Sequence, residues 1–256
     1  MKIAVLVKQV PGTESPLPIN SSSTWLDEDS VTYIMNPPDN YALEEALIIR
    51  EKLGSGEVVV VSMGPERTQK VIRESLAKGA DRGIFIKEDE SKLFDPLSVA
   101  KNLSEAIRDE NFDLVFTGLQ SDDIGMGQTG VLIGELLGMS TATLAVETEL
   151  SDKTIKIKRE LESGWFQWIS LPIPASISIQ SGLNVPRYPS LKGIMSAKKK
   201  EVKILNIGDF QTYDNYQKIE SVFIPQTSKQ TEIIEADVDT TVSRIVEILK
   251  SDLKVL

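Results

Sequence analysis

The sequence predicts an α/β fold built on a doubly wound, mostly parallel sheet. Short β-rich runs alternate with helical patterns from residue 3 to about residue 137, the spacing of successive βαβ units. The first run, residues 3–7, is continuously apolar, as is typical of a strand buried on both faces. The length of 256 residues suits one large domain with an appendage.

Apolar runs and helix-terminus residues define the parallel part of the predicted sheet. Gly54 and Gly79 are placed to end helices, and Pro65 and Pro96 suit a first helical turn, where a missing N–H costs nothing. The predicted strands cover residues 3–7, 58–61, 83–86 and 114–117, and the predicted helices cover 41–53, 65–78, 95–108 and 127–137.

The first predicted helix has an apolar side and a charged side. Pro37 and Pro38 are expected to prevent a start before residue 41, with Asp39 or Asn40 as the cap. Its apolar positions would face the sheet, whereas Glu44 and Glu45 belong to the side expected to face water.

The pattern changes after residue 140. Residues 153–160 alternate apolar and polar positions and can pair with 166–171, and 175–180 form another predicted strand. From residue 200 the chain has too little apolar surface for its own core. This tail either folds back on the body or lies on a partner, and it ends in an amphipathic helix over 238–249.

Composition and charge exclude several classes of function. The sequence has no Cys and no His, which excludes disulfides, thiolate nucleophiles, Cys/His zinc sites and a histidine base. A formal charge of −10 repels a phosphate backbone, so no nucleic acid partner is expected. We find no transmembrane run, signal peptide or transit peptide, and therefore expect a cytoplasmic, prokaryotic protein.

Three segments are expected to meet beyond the carboxyl ends of the strands, where α/β sheets bind ligands. They are residues 8–10, 35–39 and 117–130. In the last, Gly125, Gly127 and Gly130 allow close approach of the backbone, and free N–H groups at Gln128 and Thr129 would attract an anion. A phosphate cradle and an ordinary strand-to-helix turn both fit this pattern.

The polar and apolar residues near this edge also leave alternatives open. Asp122 and Asp123 suit a solvated turn or a contact to adenosine hydroxyls better than paired catalysis or metal binding, because adjacent side chains seldom aim at one point. Met63 fits the crevice or the core. The sequence has neither a Walker P-loop nor a G-x-G-x-x-G motif after the first strand.

Residues 184–200, the docking segment, combine apolar and basic residues. Leu191, Ile194 and Met195 follow two prolines, which suits either docking of an acidic partner or a loop packed over the core. The basic residues that follow are Lys198, Lys199 and Lys200.

Seven short motifs occur in order between residue 1 and about residue 200. They are AVLVKQV at 4–10, MNP at 35–37 with ALEEA at 42–46, VSMGP at 61–65, AKGADR at 77–82, GLQSDD at 118–123, QTG at 128–130 and LNVPRYPSLKGIM at 183–195. Each is weak alone, but together they make the sequence similar to the β subunit of electron-transfer flavoprotein.

The resemblance implies a Rossmann-like, adenine-nucleotide-binding domain at 1–200 and a C-terminal arm at 201–256 that packs on an α subunit. The α subunit would carry most of the FAD site, and this chain would hold a structural AMP. The pair would be an electron carrier rather than a catalyst by itself. Its partners would be acyl-CoA or other flavin dehydrogenases and a downstream quinone oxidoreductase or similar acceptor.

The resemblance also implies residue roles. Leu191, Ile194, Met195, Lys198, Lys199 and Lys200 would dock partners. The AMP contacts would be Leu6, Asn36, Pro37, Pro38, Asp39, Met63, Ser121, Asp122, Asp123, Gly125, Gly127, Gln128, Thr129, Gly130 and Val131.

Two alternative functions compete with this interpretation. Some members of the family bind a second FAD in place of AMP and bifurcate electrons from NADH, with a turn similar to A-I-D-G-D-T-A-Q-V-G-P. Residues 121–130 depart from that pattern, which favours AMP, and Pro38 replaces the aromatic residue often found there. A stand-alone ATP-binding protein would need a serine/glycine-rich loop after the first strand, which residues 8–12 do not provide.

Overall fold

The computed structural model describes residues 1–88, 95–209, 215–225, 231 and 233–255. These residues form two compact units, Met1–Val222 and Phe223–Leu256. The sheet of the first unit extends past residue 200, to Asn206. Residues 210–214, 226–230, 232 and 256 of the predicted arm lie outside the described residues.

The described part of the first unit contains eleven strands and five α-helices. The helices are α1 (Pro37–Leu53), α2 (Gln69–Lys78), α3 (Pro96–Ile107), α4 (Thr129–Leu136) and α5 (Leu191–Ala197). The strands are β1 (Lys2–Leu6), β2 (Gln9–Pro11), β3 (Tyr33–Met35), β4 (Glu57–Gly64), β5 (Arg82–Lys87), β6 (Leu114–Gly118), β7 (Ser140–Leu150), β8 (Thr154–Glu160), β9 (Phe166–Pro172), β10 (Ala175–Ile179) and β11 (Val202–Asn206).

Nine of these strands form one sheet in the order β11-β5-β4-β1-β6-β10-β7-β8-β9. The pairs from β11 to β7 are parallel, and β8 and β9 extend the sheet antiparallel. The chain runs outward from β1 through β4 to β5, then returns to place β6 on the other side of β1. This reversal creates a crevice at the carboxyl ends of β1 and β6.

The central strands of the sheet, β1, β4, β6 and β10, are buried on both faces, as expected for a doubly wound fold. Alternate residues of β1 belong to two hydrophobic cores, one on each face of the sheet. Ile3 and Val5 pack with α1 and α2. Ala4 and Leu6 pack with α3 and α4. Such strands can be apolar at every position, which explains the continuous run predicted at residues 3–7.

Helix α1 starts at Pro37, four residues earlier than the prolines were expected to permit. Asn36 is its N-cap, so Pro37 and Pro38 occupy the first turn, where no intrahelical hydrogen bond needs their missing N–H groups. The expectation failed because proline disrupts a helix interior but not its first turn.

The hairpin of β8 and β9 confirms the predicted pairing, with Ile157 opposite Ile169. Two strands of the nine-stranded sheet were not predicted. The edge strand β11 pairs with β5 although its pattern is irregular, and β7 is amphipathic only over part of its length.

The second unit contains the predicted terminal helix as α6 (Val238–Glu247). Asp237 caps it by accepting a hydrogen bond from the backbone N–H of Thr240 at 3.0 Å. The side chains of Val242 and Ile245 are exposed. Among the described residues, the helices lack the combined length and apolar character that a membrane crossing requires.

Candidate functional site

The main cleft opens at the carboxyl ends of β1, β4 and β6, at the reversal of strand order. It has a volume of about 200 Å³. The apolar side chains of Val99 and Leu103, one turn apart on α3, line one part of it. The residues between β6 and α4, numbers 119–128, form another wall and are called the cleft loop below.

Asp39, in the first turn of α1, joins all three segments predicted to meet here. Its Oδ2 accepts a hydrogen bond from the backbone N–H of Lys8 at 2.7 Å. Its Oδ1 accepts from the backbone N–H of Gly118 at 3.1 Å and from Asn36 Nδ2 at 3.0 Å. Burial raises the pKa of Asp39 to about 7, while these donors and the charge of Lys8 oppose the rise.

Asn36 reinforces the same junction through both ends of its buried amide. Its Nδ2 also donates to the carbonyl oxygen of Gln120 at 3.0 Å, and its Oδ1 accepts from the backbone N–H of Asp122 at 3.0 Å. Its backbone N–H donates to the carbonyl oxygen of Lys8 at 2.9 Å. Asn36 and Asp39 therefore use their polar atoms to position loops from two other parts of the chain.

Glycine at position 118 is required by this close approach. A Cβ atom there would overlap Asp39 Oδ1 and lie 2.8 Å from the backbone of Pro38. The absence of a side chain therefore allows β6 to reach the start of α1.

The cleft loop reaches the N-terminus of α4 through two residues in the left-handed region. Gly125 and Gly127 have φ angles of +68° and +63°, which favour glycine. Helix α4 then begins at Thr129, with its first N–H groups at the cleft. This geometry suits an anion.

Thr117, at the end of β6, lines the main cleft and adds a polar group there. Its hydroxyl oxygen is buried without a hydrogen-bond partner among the described residues. A Cβ atom on Gly130 would lie 2.6 Å from this hydroxyl, so α4 approaches the sheet closely here. An unpaired buried hydroxyl beside free helix N–H groups fits a polar ligand better than a packed apolar turn.

The structure brings nine of the predicted nucleotide contacts to the main cleft and leaves six outside its lining. Those lining it are Leu6, Asn36, Asp39, Met63, Ser121, Gly127, Gln128, Thr129 and Gly130. Those outside are Pro37, Pro38, Asp122, Asp123, Gly125 and Val131.

Three of these six residues make other contacts, which explains why they do not line the main cleft. Pro38 packs against Gly118, Asp122 donates its backbone N–H to Asn36, and the carboxylate of Asp123 pairs with Lys8. Asp123 also lines a smaller neighbouring cleft of about 120 Å³, the second cleft.

Sequence reasoning missed other lining residues, among them Lys8, Thr117, Val99 and Leu103. Lys8 was in a predicted segment but was not identified as a contact. The spacing of Val99 and Leu103 predicts only a helix face, and the fold determines which helix covers the cleft.

The docking segment has its predicted apolar residues at the surface. Leu191 is 82% exposed and Met195 is 72% exposed, and both lie on α5. Ser190 caps α5 by accepting from the backbone N–H of Gly193 at 3.0 Å. A Cβ atom on Gly193 would overlap the carbonyl oxygen of Ala77, so glycine permits α5 to rest on α2.

Lys200 differs from the other lysines predicted to dock partners. Lys198 and Lys199 are exposed, whereas Lys200 Nζ donates to the carbonyl oxygens of Leu76 at 3.0 Å and Ala80 at 2.5 Å. Burial lowers the pKa of Lys200. Its ammonium satisfies carbonyl groups at the end of α2, so the structure corrects the prediction that it faces a partner.

Arg187 and Asn184 explain why two glutamates expected to face water are buried. The Arg187 guanidinium donates to the Glu44 carboxylate at 2.9 Å. It also donates to the Glu51 carboxylate, two turns further along α1. Asn184 Nδ2 donates to Glu45 Oε2 at 3.1 Å. These pairs attach the docking segment to α1.

We expect Arg187→Lys to loosen the docking segment. A lysine ammonium cannot reproduce the fork that contacts both carboxylates, so the free energy of unfolding should fall by about 1 kcal/mol. Arg108→Lys, at a more exposed arginine, is the matched control and should leave stability unchanged. Denaturant unfolding measures both, and equal stability of the two variants would contradict the proposed attachment.

Comparison with known proteins agrees with the geometry. Residues 23–209 match the family model described as "Electron transfer flavoprotein domain". The protein named "Electron transfer flavoprotein subunit beta" from Methylophilus methylotrophus is 35% identical over 97% of this chain and 98% of its own length.

Two further relatives carry the same name. The protein from Thermoanaerobacterium thermosaccharolyticum is 38% identical over 98% of both chains, and that from Bacillus subtilis is 32% identical over 100% of both. A match of this extent includes both the main cleft and the docking segment. The chain therefore belongs to the electron transfer flavoprotein family, among its β subunits.

Proposed function

We propose that this chain binds a structural AMP in its main cleft, helps an α subunit to form a FAD site, and docks flavin dehydrogenases. The pair would relay electrons to a downstream quinone oxidoreductase or similar acceptor. FAD supplies the redox chemistry when bound, and the residues of this chain bind, orient and dock.

The main cleft carries the AMP proposal. It combines apolar side chains from α3 with the N-terminus of α4 and the unpaired hydroxyl of Thr117. Apolar walls suit an adenine ring, and a helix N-terminus suits a phosphate. Thr129 and Gly130 would face the phosphate, and Leu6 and Leu103 would face the base.

The sequence of the cleft loop favours AMP over a second FAD, because residues 121–130 depart from the bifurcating pattern.

Calorimetric titration of the nucleotide-stripped complex with AMP tests this proposal. We expect one site per chain, and we expect adenosine to bind at least about tenfold more weakly because it lacks the charged group that meets the helix N–H groups. Equal binding of AMP and adenosine, or no binding of either, would contradict it.

A further inference from the structure

Hydrogen bonds attach the cleft loop to other segments at two places among the residues that the structure describes. The inner attachment is the amide of Asn36, which bonds to Gln120 and Asp122. The outer attachment is Lys8, whose Nζ lies 2.7 Å from Asp123 Oδ1 and 3.3 Å from Ser121 Oγ.

The two attachments differ in their access to water. Asn36 is buried, with 1% of its surface exposed, so its bonds are shielded from solvent. The Lys8 side chain is 44% exposed, although the Asp123 side chain that it meets is only 11% exposed. The outer attachment is therefore the one that can open while the inner attachment stays closed.

Beyond Asp123 the loop bonds to itself. The backbone N–H of Ile124 donates to Asp123 Oδ1 at 2.8 Å, and that of Gly125 donates to the carbonyl oxygen of Ser121 at 2.9 Å. Ile124, Met126 and Gly127 line the main cleft from this part of the loop. The position of Asp123 therefore sets the position of the outer wall of the cleft.

Lys8 stands at the boundary between the main cleft and the second cleft, since it lines both together with Met63 and Ile124. A direct contact between Lys8 and a nucleotide phosphate would bring that phosphate close to the Asp123 carboxylate, which repels it. The geometry thus favours a role for Lys8 that acts through Asp123.

We propose that the Lys8–Asp123 ion pair is a latch that keeps the cleft loop closed over a bound nucleotide. Lys8 and Asp123 are positioning residues in this account, and the latch slows nucleotide release. The inference rests on the proposed binding of AMP, but the state of the loop can be measured separately from binding.

The first experiment measures release of a fluorescent AMP analogue from the complex, chased with AMP, in Lys8→Met, Asp123→Asn and the double variant. Each single variant should release it about five- to tenfold faster, the effect of losing a partly buried ion pair. The double variant should be no faster than the singles, since all three break one interaction. Lys156→Met removes a lysine of similar exposure, which pairs with Glu149 on the neighbouring strand, and should match the wild type.

A contact between Lys8 and the phosphate predicts a different result. Lys8→Met would then weaken binding, whereas Asp123→Asn would remove a repulsive charge and slow release. Opposite effects of Lys8→Met and Asp123→Asn would overturn the latch. Additive effects in the double variant, or unchanged release in all variants, would also overturn it.

Hydrogen exchange of residues 119–128 in the nucleotide-stripped complex tests the latch without a ligand. Exchange should be several-fold faster in Lys8→Met and Asp123→Asn than in Lys156→Met. Faster exchange without AMP binding by the wild type would support the latch and refute the AMP proposal. Unchanged exchange with intact AMP binding would refute the latch alone.

Discussion

Asp39→Ala should lower the free energy of unfolding by about 3 kcal/mol at pH 6, because it leaves buried donors from three segments without an acceptor. Those donors are the backbone N–H groups of Lys8 and Gly118 and the amide of Asn36. Denaturant unfolding measures the loss. We also expect AMP binding to fall with stability, since the same bonds set the shape of the main cleft.

Two controls separate this effect from a general loss of negative charge. Asp122→Ala removes a carboxylate from the exposed part of the neighbouring loop and should change stability by less than about 0.5 kcal/mol. Asp39→Asn keeps an acceptor oxygen but turns its NH2 group toward a backbone donor. Its loss of unfolding free energy should therefore lie between the losses of Asp39→Ala and Asp122→Ala. A stability equal to the wild type for Asp39→Ala would contradict the account.

The raised pKa of Asp39 predicts a dependence of stability on pH. Between the ordinary value of 3.8 and the folded value of about 7, the folded chain keeps a proton that the unfolded chain releases. The contribution of Asp39 is therefore fully present below pH 3.8 and is lost as pH rises through 7. The difference in unfolding free energy between the wild type and Asp39→Asn should decline by about 1 kcal/mol per pH unit across that range. A difference that rises with pH would show that the N–H donors lower the pKa of Asp39 by more than burial raises it.

Leu191→Ala should weaken binding of a partner dehydrogenase by about 10- to 100-fold, which corresponds to the burial of one leucine side chain in a pocket. Leu191 is free to enter such a pocket because it is exposed at the start of α5. Electron-transfer assays over a range of partner concentrations measure the change. AMP content and flavin content should stay at the wild-type level, because the main cleft lies at the carboxyl ends of β1, β4 and β6.

An exposed leucine outside the docking segment provides the control for this prediction. Leu17 is 51% exposed, and Leu17→Ala should leave electron transfer with the dehydrogenase unchanged. Equal transfer by the wild type and Leu191→Ala would refute the docking role, and loss of AMP from that variant would mean that the segment supports the cleft instead.

The parallel core was predictable because burial on both faces requires continuous apolar runs. Residues 3–7 and 58–61 show that requirement directly, and β1 and β4 confirm it. Strand β11 was not predictable, because an edge strand is half exposed and its pattern alternates weakly. Glu44 and Glu45 were misassigned because their partners, Arg187 and Asn184, lie more than 130 residues away in the sequence.

The site was predictable where the backbone itself carries the pattern. Gly125 and Gly127 were predicted to allow close approach of the backbone, and in the structure both have positive φ angles beside the main cleft. The role of Asp39 as a junction was not predictable, since it depends on three segments that meet only after the strand order reverses. The inward orientation of the Lys200 ammonium was not predictable either, because it depends on the packing of α5 on α2.

The most direct measurement of the central claim is extraction and identification of the nucleotides from the purified complex of this chain with its α subunit. We predict one AMP and one FAD per complex. Two FAD and no AMP would favour the bifurcating alternative, and a complex without any nucleotide beyond one FAD would contradict AMP binding by this chain.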